Sequence, residues 1–447
     1  MKNTLFIILI LTLGFSQSAS DAVRLFEMET GYGLRAQSMG NAYTALSDDI
    51  SGLYWNPAGL GQIKESLFSM GIEHGSAGNE TTYLGLPTTA KHNWTKINGL
   101  GIVVPFEVAQ GALAWGFSFN RIGDSEGITE FTGFSSVPNS LVFYDSDGNE
   151  SAFDTDATRT ESIRLEGGID QWTTGLSVAI SPTTLVGASL ALNTGDDTYH
   201  FQFNQSDTQH NYETYPADYD KYDIERYLQT EFNGIQLKLG ALMSLGNIKI
   251  GGTFSPAYTY HVKEVFTEKE TMTYDDGTYE NVVESDPGQW TYAVKSPFQF
   301  SGGIAYSTTR FTLAASTQYK DWSQVEFDLS DVAILDDEYL DLLQENEIIR
   351  STYKPALDFH FGGEFYLINN LVAVQGGLSL KQSRLEKGTD SKSVSGGIRL
   401  FPDSMVDIQL SYHINNWEKS GTDEFTPSLA SENITQATYQ MGFNYRF

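Results

Sequence analysis

Segments of about ten residues in which every second side chain is apolar recur along this chain, and they limit what it can fold into. The last segment shows the pattern in full, since Tyr439, Met441, Phe443, Tyr445 and Phe447 alternate with polar or small residues. Because successive side chains of a strand point to opposite faces, such a segment has one apolar and one polar face. Fourteen segments of this kind are predicted as strands. Most have the 9–11 residues that a tilted strand needs to cross a bilayer.

The predicted connections alternate between short and long. Short turns such as Ser181–Thr184 and Thr308–Thr309 separate some neighbouring strands, and long loops separate the others. Bacterial outer-membrane barrels have an even number of antiparallel strands, short periplasmic turns and long external loops. A soluble β-sandwich would also have alternating faces, but it has no reason to place every long loop at one edge. The sequence therefore predicts an all-β fold, in which residues 66–447 form a 14-stranded antiparallel transmembrane β-barrel.

The negative charge of the chain is concentrated in four predicted external loops. The formal net charge is −30. Segments 121–170, 195–231, 261–296 and 323–351 hold 37 of the 57 acidic residues but only 9 of the 27 basic ones. The basic footprint of a nucleic-acid-binding protein is missing, so nucleic acid is not expected as a partner. The loops are expected to face outer-membrane lipids and lipopolysaccharide, bridged loosely by divalent cations.

The first twenty residues have the pattern of a secretory signal peptide. Lys2 gives the charged start, Leu5–Phe15 is an apolar core, and small residues precede Asp21. This order is typical of a signal peptide with a cleavage site, so residues 1–20 are predicted to be removed. No other apolar run is long enough for a membrane helix. We therefore expect a multi-pass β-barrel in the cell outer membrane, and we expect it to be a monomer.

The stretch Ala36–Leu60 is too mixed in polarity to be a membrane span and too short to be a domain. A fourteen-stranded barrel is too wide to be filled by its own inward side chains. Residues 21–65 are therefore predicted to form a hatch inside the barrel. Within it, Pro57 favours an extended Asn56 and fixes a turn, and the Asn56 side chain can bond the neighbouring backbone.

The N-terminal stretch LRAQSMGNAYTALSDDISGLYWNPAGL resembles the signature of the FadL-type family of outer-membrane transporters for hydrophobic compounds. Asn56-Pro57-Ala58 matches the NPA motif of that family, and the resemblance extends to the YKDW stretch at Tyr319–Trp322 and the aromatic C-terminus. It implies a hatch in a fourteen-stranded barrel, with Trp55, Asn56, Pro57 and Ala58 as hatch and gating residues. It also implies lateral release of substrate through a kink in the third strand, for which Gly116 is the candidate.

The resemblance implies passive transport of compounds such as long-chain fatty acids or hydrocarbons. The acidic loops disfavour free carboxylates at the mouth and favour neutral compounds. The main alternative is a barrel associated with type IX secretion, PorV- or PorQ-like, which binds exported proteins. A third possibility is a structural or adhesive barrel in which the acidic loops are the functional part.

Ionisable residues on the predicted inner face have two interpretations. One is a network that holds the hatch and binds a carboxylate head group. The other, favoured for any single residue, is the ordinary polar wall of a barrel. The nine residues are Lys238, Lys320, Asp358, His360, Glu364, Arg399, Asp407, His413 and Arg446.

Other motifs carry less weight. Gly31–Ala36 fits GxGxxA but lacks the βαβ context of a dinucleotide site. Asp145–Asn149 resembles the start of a calcium loop, but Thr155 stands where the ligating glutamate is expected. No catalytic motif is found, so neither an enzyme, nor a cofactor, nor a bound metal is predicted. The helical spacing of Val332–Ile349 predicts a loop helix that folds over the barrel mouth or, alternatively, forms a lip that first contacts an apolar substrate.

Overall fold

A computed structural model of the chain shows a closed β-barrel with an N-terminal segment inside it. The described residues are 18–447 except 140, 142, 145–149, 152, 216–217, 331, 333–336, 368–370, 386–387, 389 and 423–424. Most of the predicted signal peptide and the calcium-like stretch Asp145–Asn149 therefore lie outside the described residues.

The barrel is built from long antiparallel strands. In chain order they are β1 (Leu67–Tyr83), β2 (Leu86–Phe106), β3 (Leu113–Asp124), β4 (Gly127–Ser135), β5 (Phe143–Tyr144), β6 (Glu150–Ser151), β7 (Ala157–Ser181), β8 (Thr184–Ser206), β9 (Tyr219–Leu245), β10 (Ile248–Ser255), β11 (Thr259–Tyr274), β12 (Tyr279–Glu284), β13 (Gly288–Lys295), β14 (Gln299–Ser307), β15 (Phe311–Asp321), β16 (Glu326–Phe327), β17 (Pro355–Leu367), β18 (Val372–Lys381), β19 (Ser391–Leu400), β20 (Val406–Gly421) and β21 (Ala430–Arg446).

Nineteen of these strands form one sheet, and β5 pairs with β6 in a small separate one. Four of the barrel strands are interrupted: β4 continues β3, β11 continues β10, β12 and β13 lead into β14, and β16 continues β15. The sheet closes because β1 pairs with both β2 and β21. The barrel therefore has fourteen strands, and the predicted architecture is confirmed.

Short helices from the N-terminal segment lie inside the barrel. They are α1 (Ala19–Glu27), α2 (Leu34–Ser38), α3 (Gly52–Trp55) and the 3₁₀ helix Pro57–Gln62. Ser18 caps α1 by accepting a hydrogen bond from the Asp21 amide. Because residues 1–20 are predicted to be removed, we call residues 21–66 the hatch, and the wall begins directly after it at Leu67.

The lower part of the barrel, which ends in the short turns, is apolar outside and polar inside. On β8 and β9 the outward side chains include Leu190, Leu192, Ile235 and Leu239, all at least 40% exposed. Between them, inward side chains such as Lys238 are buried against the hatch. This polarity is typical of a barrel that sits in lipid.

The same strands continue upward with the polarity reversed. On β9, Glu225 and Glu231 point outward, whereas Tyr222, Ile224 and Phe232 are buried inside. Part of this inner surface belongs to a second apolar core that is separate from the core around the hatch: Leu141, Phe143, Phe153, Ala157, Phe201, Phe203, Tyr219, Tyr222, Ile224, Met272 and Phe425.

The predicted long loops were therefore wrong in their extent. Much of 195–231 is strand, because β8 runs to Ser206 and β9 begins at Tyr219. The prediction missed these strands because their outward faces carry polar side chains instead of an apolar band.

A fourth helix, α4 (Asp337–Thr352), covers the upper mouth. It buries Leu342 and Ile349, and its Asn346 side chain bonds the backbone of Phe327 through both its amide nitrogen and its oxygen. The predicted helix Val332–Ile349 is thus present in part and folds over the mouth, while residues 333–336 lie outside the described part. None of the helices in that part has the length and apolar content needed to span a membrane.

Candidate functional site: the hatch and the wall seam

The Asn-Pro turn of the hatch is present and fully hydrogen-bonded. Asn56 has an extended backbone, and its side-chain oxygen accepts from the Ala58 amide at 3.1 Å. Its amide nitrogen donates to the carbonyl oxygens of Thr44, at 2.9 Å, and of Ala241 in β9, at 3.1 Å. Pro57 opens the 3₁₀ helix that follows. One buried side chain therefore ties the turn to the rest of the hatch and to the wall.

Two wall glycines make room for this turn. A Cβ atom on Gly187 of β8 would collide with Pro57 and Ala58, and one on Gly240 of β9 would collide with the Asn56 side chain. On the neighbouring strand, the Ser177 hydroxyl donates to the Ala58 carbonyl oxygen at 2.7 Å. The hatch thus lies directly on the backbone of β7–β9.

Trp55 is held from within the hatch. Its indole nitrogen donates to the Tyr32 carbonyl oxygen at 2.7 Å, and its ring packs edge-on against Tyr54 at 4.9 Å between centroids. The ammonium of Lys238 lies 4.4 Å from the centre of the Tyr54 ring and donates to the Tyr54 carbonyl oxygen. The predicted hatch residues 55–58 therefore lie together, but nothing in this arrangement tests whether they gate the lumen.

Ion pairs hold the opposite side of the hatch. The Arg35 guanidinium binds both carboxylate oxygens of the fully buried Glu364, at 3.2 and 2.6 Å, and also binds Asp48 at 2.5 Å. Arg399 links Glu364, at 2.8 Å, to Asp407, at 2.5 Å. Burial alone raises the pKa of the Asp48 carboxyl, but Arg35 and other cations outweigh burial and bring that pKa to about 2. The Asp48 carboxyl therefore stays charged at neutral pH.

Other predicted lumen residues also contact the hatch. Lys320 pairs with Glu29 at 3.4 Å, and the His360 Nδ1 atom lies 3.0 Å from the Gly40 carbonyl oxygen. These contacts support the interpretation of a network that holds the hatch; binding of a carboxylate head group stays a prediction. The remaining three residues line cavities beside or below the hatch: Asp358, His413 and Arg446.

The wall has a seam between its second and third strands. β2 pairs with β1 up to Leu86, but it pairs with β3 only from Gly99 to Phe106. In the described residues, stretch 86–98 of β2 has no ladder partner on its other side. There the third strand turns into the lumen as β4, which pairs with β7, and its Phe131 ring packs 4.8 Å from the inward-facing Tyr83 ring of β1. We call the unpaired boundary between 86–98 and 121–135 the wall seam.

The hatch packs against the part of the β3 edge that is not paired with β2. The amides of Thr30 and Gly31 donate to the Ile122 carbonyl oxygen at 2.8 and 3.2 Å, and Glu29 forms an antiparallel bridge with Gly123. A Cβ atom on Gly123 would collide with the Met28 carbonyl oxygen, so only glycine allows this approach. The hatch and the wall seam are therefore joined by backbone hydrogen bonds.

Gly116 lies lower on the same strand. It is paired on both sides, and a Cβ atom there would come 3.3 Å from the side chains of Leu53 and Leu60 in the hatch. The register shift of β3 lies instead between Arg121 and Gly123. A role of Gly116 in a strand kink thus stays a prediction, and the irregular part of the strand lies five to seven residues further along.

The hatch separates two cavities. Above it lies a cavity of about 300 Å³, with polar side chains and an aromatic and aliphatic part formed by Phe131, Ile163, Tyr199, Phe201 and Phe425. Below it, a cavity of about 700 Å³ is bordered by Arg35, Asp48, Lys249 and residues of the lower turns.

Helix α1 fills the lumen between the hatch turn and the upper mouth. Its Phe26 ring stacks on Tyr260 at 4.9 Å and meets Tyr258 edge-on at 5.8 Å. Arg24 pairs with the buried Asp197 of β8. The middle of the barrel is therefore apolar, aromatic and occupied by the chain itself.

Comparison with solved structures shows which fold this is. The structure is similar to a FadL homologue of Pseudomonas aeruginosa, with a TM-score of 0.60 and 11% identity over 94% of this chain and 99% of the other. It is also similar to the toluene transporter TodX of P. putida, with a TM-score of 0.59, 15% identity and coverages of 94% and 99%.

A third similar structure is the toluene transporter TbuX of Ralstonia pickettii, with a TM-score of 0.54, 16% identity and coverages of 94% and 100%. No family model and no curated protein sequence matches the chain. The chain thus has the fold of FadL-type transporters, and at these identities the likeness establishes the fold alone.

Proposed function

We propose that this barrel transports neutral hydrophobic compounds passively across the outer membrane. The observation that carries the proposal is the wall seam, because there the hatch backbone replaces a ladder between neighbouring wall strands. A compound that displaces this part of the hatch gains a sideways path from the lumen to the outer surface of the wall, at the upper edge of its apolar band. The solved structures of similar fold include two described as toluene transporters.

The upper mouth fits a compound that is apolar and uncharged. The cavity of about 300 Å³ above the hatch has aromatic side chains in its wall. The outer surface around the mouth carries a large share of the acidic residues, so it repels free carboxylates. Neutral hydrocarbons or aromatic compounds are therefore better candidates than fatty-acid anions.

Transport requires the chain to move in two places. Helix α1 must give up its aromatic contacts, of which the stack of Phe26 on Tyr260 is the closest. Residues 29–31 must then separate from Ile122 and Gly123. The outer surface beside the seam carries aromatic rings, with Phe119 and Trp172 4.8 Å apart, so a released compound would meet an apolar interface. The gradient of the compound would supply the driving force.

Substitution of Gly123 tests this proposal. Gly123→Val places a side chain against Met28 and should push the hatch off β3. The measurement is uptake of N-phenyl-1-naphthylamine, a neutral aromatic probe, by cells that express the barrel and lack other channels of this kind. We expect the wild type to raise uptake above that of empty-vector cells. Gly123→Val should raise uptake about tenfold further, because the hatch then no longer closes the wall seam.

Gly376→Ala is the matched control, because a Cβ atom there meets nothing within 4 Å. Uptake by Gly376→Ala should equal that of the wild type. Uptake by wild-type cells no faster than by empty-vector cells, for this probe and for toluene, would contradict transport of hydrophobic compounds.

A second candidate function is the binding of exported proteins at the upper mouth. The observation that favours it is the second apolar core, which orders the upper strands into a defined external surface. Crosslinking of the exposed acidic surface in intact cells distinguishes the two functions. A protein crosslinked in stoichiometric amount, together with probe uptake no faster than that of empty-vector cells, would favour protein binding.

A further inference from the structure

Four charged or ionisable side chains span the wall seam where backbone pairing is missing. The Lys96 ammonium of β2 lies 3.4 Å from the Asp124 carboxylate and in direct contact with the Glu126 carboxylate. His92 lies four residues before Lys96 on the same face of β2, and its Nε2 atom lies 2.9 Å from the Glu126 carboxylate. We call His92, Lys96, Asp124 and Glu126 the seam latch.

The far side of the seam latch is itself held in place. Arg121 binds Asp124 at 3.0 Å and Asp170 of β7 at 3.2 Å. Lys96 also donates to the Gly167 carbonyl oxygen of β7 at 3.1 Å. Asp124 is thus linked to β7 through Arg121, whereas Lys96 and His92 belong to β2. Separation of the two wall strands must break these contacts.

The boundary between β7 and β8 shows how the wall seam differs from a fully paired part of the wall. Their ladder runs from the Thr158–Ser206 pair to the Ser181–Thr184 pair with one irregularity near the lower turn. Opening that boundary would break a long series of backbone hydrogen bonds, and those below Leu192 would lose their partners in the apolar region of the bilayer. At the wall seam, only side-chain contacts and the hatch oppose opening.

We propose that the seam latch, with Lys96 as its central residue, controls the rate at which substrate leaves through the wall seam. The inference rests on the proposed transport function and adds a second barrier to it, independent of the hatch. Lys96 and His92 act as positioning residues that keep β2 against the turn between β3 and β4. Substrate release then requires both an open hatch and a broken latch.

The accessibility of the latch makes this barrier sensitive to salt. The Lys96 side chain is 27% exposed, whereas the Glu126 side chain is only 3% exposed. Salt weakens an ion pair only where water and ions reach it, with a Debye length of about 10 Å at 0.1 M ionic strength, and buried pairs are screened much less. We expect wild-type uptake of N-phenyl-1-naphthylamine to rise two- to fivefold between 0.01 and 0.3 M sodium chloride.

The Lys96→Gln variant tests the central residue. It removes the cation but keeps a side chain of similar length, so it should raise uptake at low salt to the wild-type level at high salt and abolish the salt dependence. Lys91→Gln is the matched control, since Lys91 lies on the same strand and faces outward. It should keep the wild-type rate and salt dependence. Equal salt dependence in Lys96→Gln and the wild type would overturn the role of Lys96.

A crosslink across the seam provides an independent test. The chain contains no cysteine, so only introduced thiols react. A Lys96→Cys, Glu126→Cys double variant, bridged with a short bis-maleimide that carries a reducible disulfide, should lose at least nine-tenths of its uptake and regain it after reduction. The control bridges His74→Cys to Thr95→Cys, which are directly paired on β1 and β2, and should change nothing.

The outcomes separate the latch from the transport function itself. Heat-modifiable migration in gels confirms that each variant forms a folded barrel. A bridged seam with wild-type uptake would show that substrate leaves elsewhere and would overturn the latch while leaving transport intact. Uptake no faster than that of empty-vector cells in every sample, including the wild type, would instead contradict the proposed function.

Discussion

The lower and upper parts of the barrel are built from the same strands but have opposite polarity. On β9, Ile235 and Leu239 face outward below, whereas Glu225 and Glu231 face outward above. Inside, the lower part is lined by groups such as Lys238 that hold the hatch, and the upper part buries an aromatic core. In a barrel of the outer membrane, such a reversal is expected at the level where the surroundings change from lipid to water.

This difference shows that the two halves are stabilised by different interactions. The lower lumen depends on ion pairs and hydrogen bonds to the hatch, which a low-dielectric environment makes costly to break. The upper part depends on apolar packing, as a soluble domain does. Substitutions in each half should therefore produce different kinds of damage.

The largest effect is expected in the upper core. Phe203→Ala removes a side chain that is 1% exposed. It should lower the free energy of unfolding by about 3–5 kcal/mol. Because this core is separate from the hatch cluster, the loss should be local: limited proteolysis should cut the upper strands while the heat-modifiable barrel persists. Tyr279→Ala, at a side chain that is 71% exposed, is the control and should remain resistant. Loss of the whole barrel would show that the two halves fold as one unit.

The next effect is expected from the ion pairs of the lower lumen. Arg35→Ala leaves the buried Glu364 without its bidentate partner, although Arg399 remains. Breaking a buried pair in this way costs about 3 kcal/mol, the lower end of the range for such pairs. Urea unfolding of the barrel in lipid vesicles measures the change. Arg35→Lys keeps the charge and should recover part of the stability; full recovery would mean that bidentate geometry contributes nothing.

A charge on the outer surface should test the boundary between the halves. Leu239→Arg places a cation in the outward apolar band of β9 and should cost about 2–3 kcal/mol of unfolding free energy in vesicles. Gln229→Arg, on the same face of the same strand above the reversal, should cost less than about 0.5 kcal/mol. Similar losses at both positions would place the lipid boundary higher than the polarity reversal indicates.

The smallest effect is expected at the hatch turn. Asn56→Ala removes the acceptor for the Ala58 amide and the donor to the Thr44 and Ala241 carbonyl oxygens. The buried groups left without hydrogen-bond partners should lower the free energy of unfolding by about 1–2 kcal/mol. The loss should not be larger, because the 3₁₀ helix that begins at Pro57 persists. Protection of the hatch amides from hydrogen exchange should fall, while protection of the wall strands stays unchanged. Asn93→Ala, at an exposed position of β2, should leave both unchanged.

The architecture was predictable because its strongest signals are local. Alternation in the lower strands follows from lipid outside and polar groups inside, so the lower parts of β20 and β21 could be predicted almost directly. The Asn56–Pro57 turn was predictable because both residues act on their own backbone. The upper extensions of β8 and β9 were not, because their outward faces are polar and hide the alternation of the buried side chains.

The main residues of the wall seam could not be found from the sequence. Gly123 is one of several strand glycines against which the hatch packs, and its contact with Met28 joins segments that are distant in the chain. Asp124 and Glu126 fall within the predicted acidic loop 121–170, and their pairing with Lys96 depends on the inward turn of the third strand. Arg35 offered one signal, an isolated cation among the small residues of the hatch, but its partner Glu364 lies 329 positions away.

The length of β8 has a geometric consequence for the cell surface. From Asn193 to Ser206 the strand continues beyond its last outward apolar residue, Leu192. At about 3.3 Å per residue and a tilt of about 40°, this part rises about 35 Å. In an outer membrane, such a height would lift the opening above the phosphates and inner sugars of lipopolysaccharide. An apolar molecule would then enter from the surrounding water without first crossing the hydrated, charged layer that otherwise keeps it out of the membrane.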